Sequence, residues 1–167
     1  MKIKIFVILI VSFLYTTSSS FAKDETNNGF SFNLGTFDFS DDGKKSTLFG
    51  MKHQNENLYK DTKFGTISPI TGFMYTADNA AYLYTGIQAN YDVGPFNLTP
   101  SFTPGLYHKG DGKDLGHIVE FKSEVEISLD LSEETNFGFS YNHVSNASLG
   151  DKNPGANSYM FNFFKKF

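Results

Sequence analysis

The sequence contains no cysteine, which excludes a disulfide framework, a thiolate metal site and a cysteine nucleophile. Positive charge is scarce as well: 18 acidic residues stand against 14 basic ones. That balance argues against nucleic acid as a partner. The four histidines include no pair with metal-ligand spacing such as His-Glu-x-x-His. We therefore expect neither a metal nor a cofactor.

Long apolar runs are missing except at the N-terminus. There, two lysines precede the apolar residues 5–15, and residues 20–22 form a small-residue cleavage site. This pattern predicts a secretory signal peptide over residues 1–22. Its apolar core falls short of the roughly 20 residues that a membrane-spanning helix needs. Residues 23–167 are then enough for one exported domain.

Aromatic residues are abundant although the chain as a whole is not hydrophobic. They make up 17% of the sequence, whereas the mean hydropathy is −0.30. In a membrane barrel only every second residue meets lipid, so hydropathy stays low while aromatic side chains accumulate on one face. The composition therefore favours a barrel over a water-soluble globule.

A two-residue alternation of apolar and polar side chains recurs from Gly29 to the last residue, with no helical stripe. Turn clusters rich in glycine, aspartate and asparagine separate the alternating segments. Eight strands are predicted, over residues 29–39, 46–53, 64–76, 81–91, 96–107, 117–129, 136–145 and 157–167.

The sixth predicted strand divides most sharply into two faces. One face is apolar, with Val119, Phe121, Val125, Ile127 and Leu129. The other is charged, with Glu120, Lys122, Glu124 and Glu126. A soluble sheet would expose that charged row to water, whereas a membrane barrel would enclose it as a charge network in the lumen. Because the fifth predicted strand repeats the division, we predict an all-β fold, an eight-stranded antiparallel transmembrane β-barrel.

The last strand indicates where such a barrel resides. The chain ends on Phe167, with Tyr159, Phe161 and Phe163 on the same alternating face. This ending resembles the terminal strand of bacterial outer-membrane proteins, so the expected location is the cell outer membrane. An even number of strands places both termini on the periplasmic side. The turn after the seventh predicted strand then faces the cell exterior.

The segment with chemical potential follows that seventh strand. His143 and Ser145 continue the aromatic face of the strand, and Asn157 shares the corresponding face of the last strand. A serine hydroxyl needs a neighbouring base to take its proton, and histidine is suited to this near neutral pH. Side chains two residues apart on a strand project the same way. His143 and Ser145 are thus a candidate base and nucleophile beside lipid, with Asn157 near them.

This stretch resembles the signature of the lipid A 3-O-deacylase (PagL) family of outer-membrane barrels. The match consists of His143, Ser145, Asn146, Ala147, Asn153 and Gly155. The resemblance implies a lipid A deacylase that hydrolyses an ester-linked (3-O) acyl chain of lipopolysaccharide in the outer leaflet. His143 would be the general base and Ser145 the nucleophile. The N–H of Asn146 and a donor such as Asn153 would steady the oxyanion.

The chain departs from the family pattern at two positions. Asn157 stands where the family has a glutamate as the third catalytic residue, and Asp151 is the nearest acid in the loop that could replace it. Ser148 stands where the family has a glycine that lends its N–H to the oxyanion.

These departures keep other functions open. The chain is alternatively a weak or inactive relative that binds lipopolysaccharide or rigidifies the membrane, or a small structural or adhesive barrel. A pore is the least favoured, since side chains fill an eight-stranded barrel. The expected partners are lipid A and the outer membrane, and a homodimer stays open.

Overall fold

The computed structural model describes residues 28–55, 58, 60–62 and 65–167. The predicted signal peptide lies outside these residues. The described residues form nine β-strands: β1 Asn28–Phe37, β2 Ser46–Asn55, β3 Lys60–Thr62, β4 Gly65–Thr76, β5 Ala81–Val93, β6 Phe96–His108, β7 Val119–Ser132, β8 Thr135–Ser145 and β9 Ala156–Lys166. Within the described residues there is no helix long and apolar enough to cross a bilayer.

Eight of these strands close into an antiparallel barrel. Each long strand pairs with the next one along the chain, and β1 also pairs with β9, which closes the ring. The remaining strand, β3, pairs with β4 alone, while β2 pairs directly with β4. Closure gives every barrel strand two neighbours, as a membrane-spanning sheet requires. The predicted eight-stranded antiparallel barrel is confirmed.

Most observed strand bounds differ from the predicted ones by one to three residues, and one strand was not predicted. The three-residue strand β3 was not predicted, because a segment that short carries no alternation. The strand β7 begins at Val119 rather than at residue 117, because the His117 ring turns back onto the chain. Its Nδ1 accepts a hydrogen bond of 3.0 Å from the Val119 N–H.

The outer face of the barrel is a continuous apolar belt. Its most exposed members on β7, β8 and β9 include Ile127, Phe139 and Phe161, of which 52%, 47% and 51% is exposed. These three lie side by side, because Phe139 pairs with Ile127 on one side and with Phe161 on the other. A water-soluble monomer rarely exposes so large an apolar patch. The belt is the surface that an eight-stranded barrel presents to lipid.

The interior is polar in its middle, where buried charges pair with one another. Lys122 lies 2.9 Å from Glu124, and Lys52 lies 3.3 Å from Glu126. The predicted charge network therefore exists, although the buried Glu120 carboxylate makes no ion pair among the described residues. A polar cavity of about 420 Å³ continues toward the chain termini.

An apolar cluster closes the barrel at the end opposite the termini. Its members include Phe37, Leu48, Met74, Tyr82, Tyr107, Leu115, Val144 and Met160. They come from strand ends and from the β6–β7 loop, and all are buried. The loops that carry the candidate site therefore rest on a packed base.

The two ends of the barrel differ in their connections. At the end of the termini, two-residue turns join β5 to β6 and β7 to β8, and the Phe167 N–H donates to the Asn28 carbonyl oxygen. At the other end the connections from β6 to β7 and from β8 to β9 each have ten residues. Apart from residues 56–64 between β2 and β4, this matches the short periplasmic turns and longer external loops of outer-membrane barrels. His143 and Ser145 lie at the end with long loops.

Candidate active site

The strand β8 sets the direction of the candidate base and nucleophile. Its inward side chains Asn142 and Val144 are buried, whereas His143 between them is exposed on the lipid side. Ser145 continues this outward face and is half-buried. The two side chains make no hydrogen bond to each other within the described structure, and such bonds often tighten only when substrate binds. His143 and Ser145 thus project from the same face of β8, as the alternation predicts.

The opposite strand supplies the partner of the imidazole. Asn157 on β9 pairs with His143 across the sheet, and its Oδ1 lies 2.8 Å from the His143 Nδ1. The Tyr141 hydroxyl donates to the same Oδ1 at 2.8 Å, and the Asn157 Nδ2 donates to the Ser40 Oγ at 3.1 Å. An amide oxygen can only accept, so the His143 Nδ1 that faces it carries the ring proton. The His143 Nε2 is then left as the proton acceptor.

A second serine lies beside His143, on the neighbouring strand. Ser123 on β7 pairs with His143 from the other side and is exposed on the same lipid-facing surface. The sequence pattern did not reveal it, because 20 positions separate the two residues in the chain. Ser123 is therefore an alternative hydroxyl that any assignment of the nucleophile must distinguish from Ser145.

The chain after Ser145 makes a tight turn in a strained conformation. The Leu149 N–H donates to the Asn146 carbonyl oxygen at 3.0 Å, and the φ angles of Ala147 and Ser148 between them are 52° and 66°. Positive φ is costly for residues with a Cβ atom. Strain of this kind concentrates at functional sites, where the surrounding structure holds it in place.

Asn146 holds the strained turn together. Its buried side chain donates to the carbonyl oxygens of Leu115 and Lys152, at 2.7 Å and 2.8 Å, and accepts from the Ser148 N–H at 2.9 Å. The Asn146 N–H itself donates to the Asn153 Oδ1 at 3.0 Å. The N–H groups predicted to bind an oxyanion are thus engaged within the loop. Oxyanion binding by Asn146 requires the exposed Asn153 side chain to turn away.

An ion pair joins this loop to the neighbouring one. The Lys152 Nζ lies 3.1 Å from the Asp114 carboxylate, and Lys109 approaches the same carboxylate at 3.4 Å. The hydrogen bond from Lys152 lowers the pKa of the Asp114 carboxyl, and the Gly116 N–H lowers it further. Asp114 is therefore ionised throughout the neutral range, where it can pair with both lysines.

The comparison with known proteins identifies the family. A family model described as "Lipid A 3-O-deacylase (PagL)" matches residues 14–166. The chain belongs to this family. No match was found among curated protein sequences.

Solved structures agree with the barrel. The structure titled "Crystal structure of the outer membrane enzyme PagL" matches with a TM-score of 0.63 at 15% identity, over 83% of this chain and 99% of that one. Neisserial surface protein A matches with a TM-score of 0.54 at 9% identity, over 86% and 98%. A de novo designed transmembrane β-barrel matches with 0.51 at 12% identity, over 88% and 100%. The protein is thus an outer-membrane barrel of the PagL family.

In this PagL-family barrel, several residues around His143 could not be identified from the sequence. Tyr141, Ser123 and Ser40 were not singled out, since contacts across strands or between loops leave no local motif. Asp151, the acid nearest in sequence, is exposed and makes no hydrogen bond with His143 or Asn157 in the part of the structure described. Among the described residues no group of three acids or histidines is placed to hold a metal.

Gly155 has no Cβ and so leaves the space that the His143 ring occupies. A Cβ at Gly155 would lie 2.8 Å from His143 Cε1 and 3.3 Å from Nε2. Gly155→Ala should therefore displace the ring and lower kcat by about tenfold to a hundredfold. The measurement is the rate of lipid A deacylation by the refolded protein.

Gly94→Ala is the matched control for this substitution. Gly94 has a φ of 63°, close to the 62° of Gly155, yet a Cβ there meets nothing within 4 Å. Both substitutions place a Cβ at nearly the same positive φ, but only the one at Gly155 meets the His143 ring. Equal activities of the two variants would contradict a catalytic position for the ring.

Proposed function

We propose that this chain hydrolyses an ester-linked acyl chain of lipid A at the outer leaflet, by a serine–histidine mechanism. The Ser145 Oγ attacks the ester carbonyl carbon while the His143 Nε2 takes the hydroxyl proton. Collapse of the tetrahedral intermediate releases the sugar alcohol, to which His143 returns the proton. Water then attacks the acyl-serine by the same route and frees the fatty acid.

The observation that carries the proposal is the hydrogen bond of 2.8 Å between His143 and Asn157 on the lipid-facing surface. It fixes the tautomer in which Nε2 accepts a proton, and Ser145 lies two residues further along the same face of β8. An ester buried in a membrane can reach this face laterally, whereas a water-soluble substrate would have to enter lipid. Location and chemistry therefore favour the same substrate class.

The loop after Ser145 supplies the groups for the oxyanion. The Asn146 N–H follows the nucleophile directly and exchanges its bond with Asn153 for one with the developing negative charge. The Asn153 amide can then present its Nδ2 to the same oxygen. Ser148 holds the turn through its N–H and, in this mechanism, keeps the Asn146 backbone in position.

A second candidate function rests on the amide at the acid position. A neutral Asn157 orients the imidazole but does not stabilise imidazolium with a full charge, as a carboxylate does. A relative with very low activity that binds lipopolysaccharide would have the same barrel and the same surface.

Asn157→Asp tests the proposal, because aspartate matches asparagine in size. The new carboxylate can accept from both Tyr141 and His143, as the Asn157 Oδ1 does. We expect kcat for lipid A deacylation to rise by about tenfold. Asn157→Ala should lower kcat, since the ring loses its partner.

The two variants separate the candidate functions. Activity in the native chain that rises in Asn157→Asp supports the proposed enzyme. Activity that first appears in Asn157→Asp identifies the chain as a decayed relative. If no variant acts on lipid A although all are folded, the proposal is wrong.

A further inference from the structure

A buried carboxylate lies behind Asn157, on the side away from His143. Asp38 follows β1 and is 0% exposed. Its Oδ1 accepts from the Ser40 Oγ at 3.4 Å and from the Asn157 backbone N–H at 3.4 Å. Asp38 has a left-handed φ of 50°, so the chain turns sharply there after β1. A buried acid next to the site therefore occupies a backbone conformation that is unfavourable for most residues.

A continuous line of hydrogen bonds joins this carboxylate to the imidazole. The His143 Nδ1 donates to the Asn157 Oδ1 at 2.8 Å and the Asn157 Nδ2 to the Ser40 Oγ at 3.1 Å. The last link, from the Ser40 Oγ to the Asp38 Oδ1, is a long one of 3.4 Å. In each bond the donor is on the His143 side and the acceptor is on the Asp38 side. In such a chain each acceptor is polarised by the next, so the negative charge at one end strengthens the bonds along it.

We propose that Asp38 is the acidic positioning residue of this site and acts on His143 through Ser40 and Asn157. This inference rests on the proposed function. It assigns to a residue 119 positions before Asn157 the charge that a carboxylate at Asn157 would supply directly. Asp38 holds the amide oriented toward the ring and stabilises the imidazolium as it forms.

Lys113 modulates the effect of the Asp38 charge on the His143 ring. Its Nζ lies 2.6 Å from the Asp38 Oδ2, on the other carboxylate oxygen, and 3.5 Å from Asp41. The cation offsets part of the negative charge of Asp38. Removal of Asp38 and removal of Lys113 should therefore have opposite effects on His143, which a merely structural role for either residue would not produce.

The test uses the NMR resonance of the His143 Nδ1 proton in the full refolded chain, which needs no substrate. Asp38→Asn should move this resonance upfield, because the acceptor Asn157 Oδ1 becomes less polarised. Lys113→Gln should move it downfield. In the Ser40→Ala background the effect of Asp38→Asn should shrink, since the line of hydrogen bonds is broken.

Asp41→Asn is the matched control. Asp41 lies in the same loop and contacts the same lysine, but it makes no hydrogen bond to Ser40 in the described structure. It should leave the resonance in place. Shifts of one sign in Asp38→Asn and Lys113→Gln, or an equal effect of Asp38→Asn with and without Ser40, would overturn the proposal. If Asp38→Asn fails to fold, Ser40→Ala should still shift the resonance upfield and Lys113→Gln downfield, and no shift in either overturns it.

The kinetic counterpart separates this proposal from the proposed function. Asp38→Asn should lower kcat for lipid A by about fivefold with KM unchanged, since the charge acts on the transition state. If the shifts occur but the native chain does not act on lipid A, the proposed function fails and the line of hydrogen bonds stands. If the native chain is active but neither resonance nor kcat responds, the role of Asp38 fails alone.

Discussion

Ser145→Ala should lower the rate of lipid A deacylation by about a thousandfold or more, because no other group in the proposed mechanism forms the covalent intermediate. His143→Ala should lower it to a similar extent. The double variant should be no worse than either single one, since base and nucleophile act as a unit. The measurement is single-turnover release of fatty acid from lipid A in micelles.

Ser123→Ala is the control that makes this result specific. Ser123 is a serine on the same lipid-facing surface and lies opposite His143 on the neighbouring strand, so it is the matched hydroxyl for this comparison. Its removal should leave the rate within about twofold, as for an ordinary surface substitution. Loss of activity in Ser123→Ala with retention in Ser145→Ala would reverse the assignment of the nucleophile.

Ile127→Arg should destabilise the barrel by about 2–4 kcal/mol, the cost of a cation at the middle of the lipid-facing belt. Ile127 is 52% exposed and is flanked by Leu98 and Phe139 on the neighbouring strands. The measurement is the free energy of unfolding in lipid vesicles, from denaturant titration of the refolded protein.

Ile118→Arg provides the comparison at another depth. Ile118 is the same residue type and is 62% exposed, but it lies in the external loop just before β7. A cation there should cost about 0–1 kcal/mol, because it reaches water. Equal costs at the two positions would contradict the placement of this face in the membrane.

The barrel was predictable because its signal is local and repeated. On β7 apolar and charged residues alternate, because successive side chains face lipid and the charged lumen in turn. Phe121 and Glu120 could therefore be assigned to faces from the sequence alone. The short strand β3 could not be predicted, since three residues with two charges carry no period. The start of β7 at Val119 coincides with a hydrogen bond to the His117 ring. That bond depends on the His117 rotamer, which the alternation of residues does not encode.

The candidate site was predictable only through the alternation along single strands. His143 and Ser145 share a face of β8, and Asn157 follows from the same alternation on β9. The residues that surround them come from elsewhere. Ser40 and Asp38 lie more than a hundred positions away and reach Asn157 because β1 closes the barrel against β9. Closure is a property of the whole chain, so a local motif does not disclose its contacts.

The central claim is that a serine on the lipid-facing surface removes an acyl chain from lipid A. Mass spectrometry of lipid A tests it most directly, with bacterial cells that carry the native chain, the Ser145→Ala variant or neither. The native chain should give lipid A that has lost the mass of one ester-linked acyl group, whereas Ser145→Ala cells should match cells without the protein. Unchanged lipid A in cells with the folded native barrel, or the same loss with Ser145→Ala, would contradict the account.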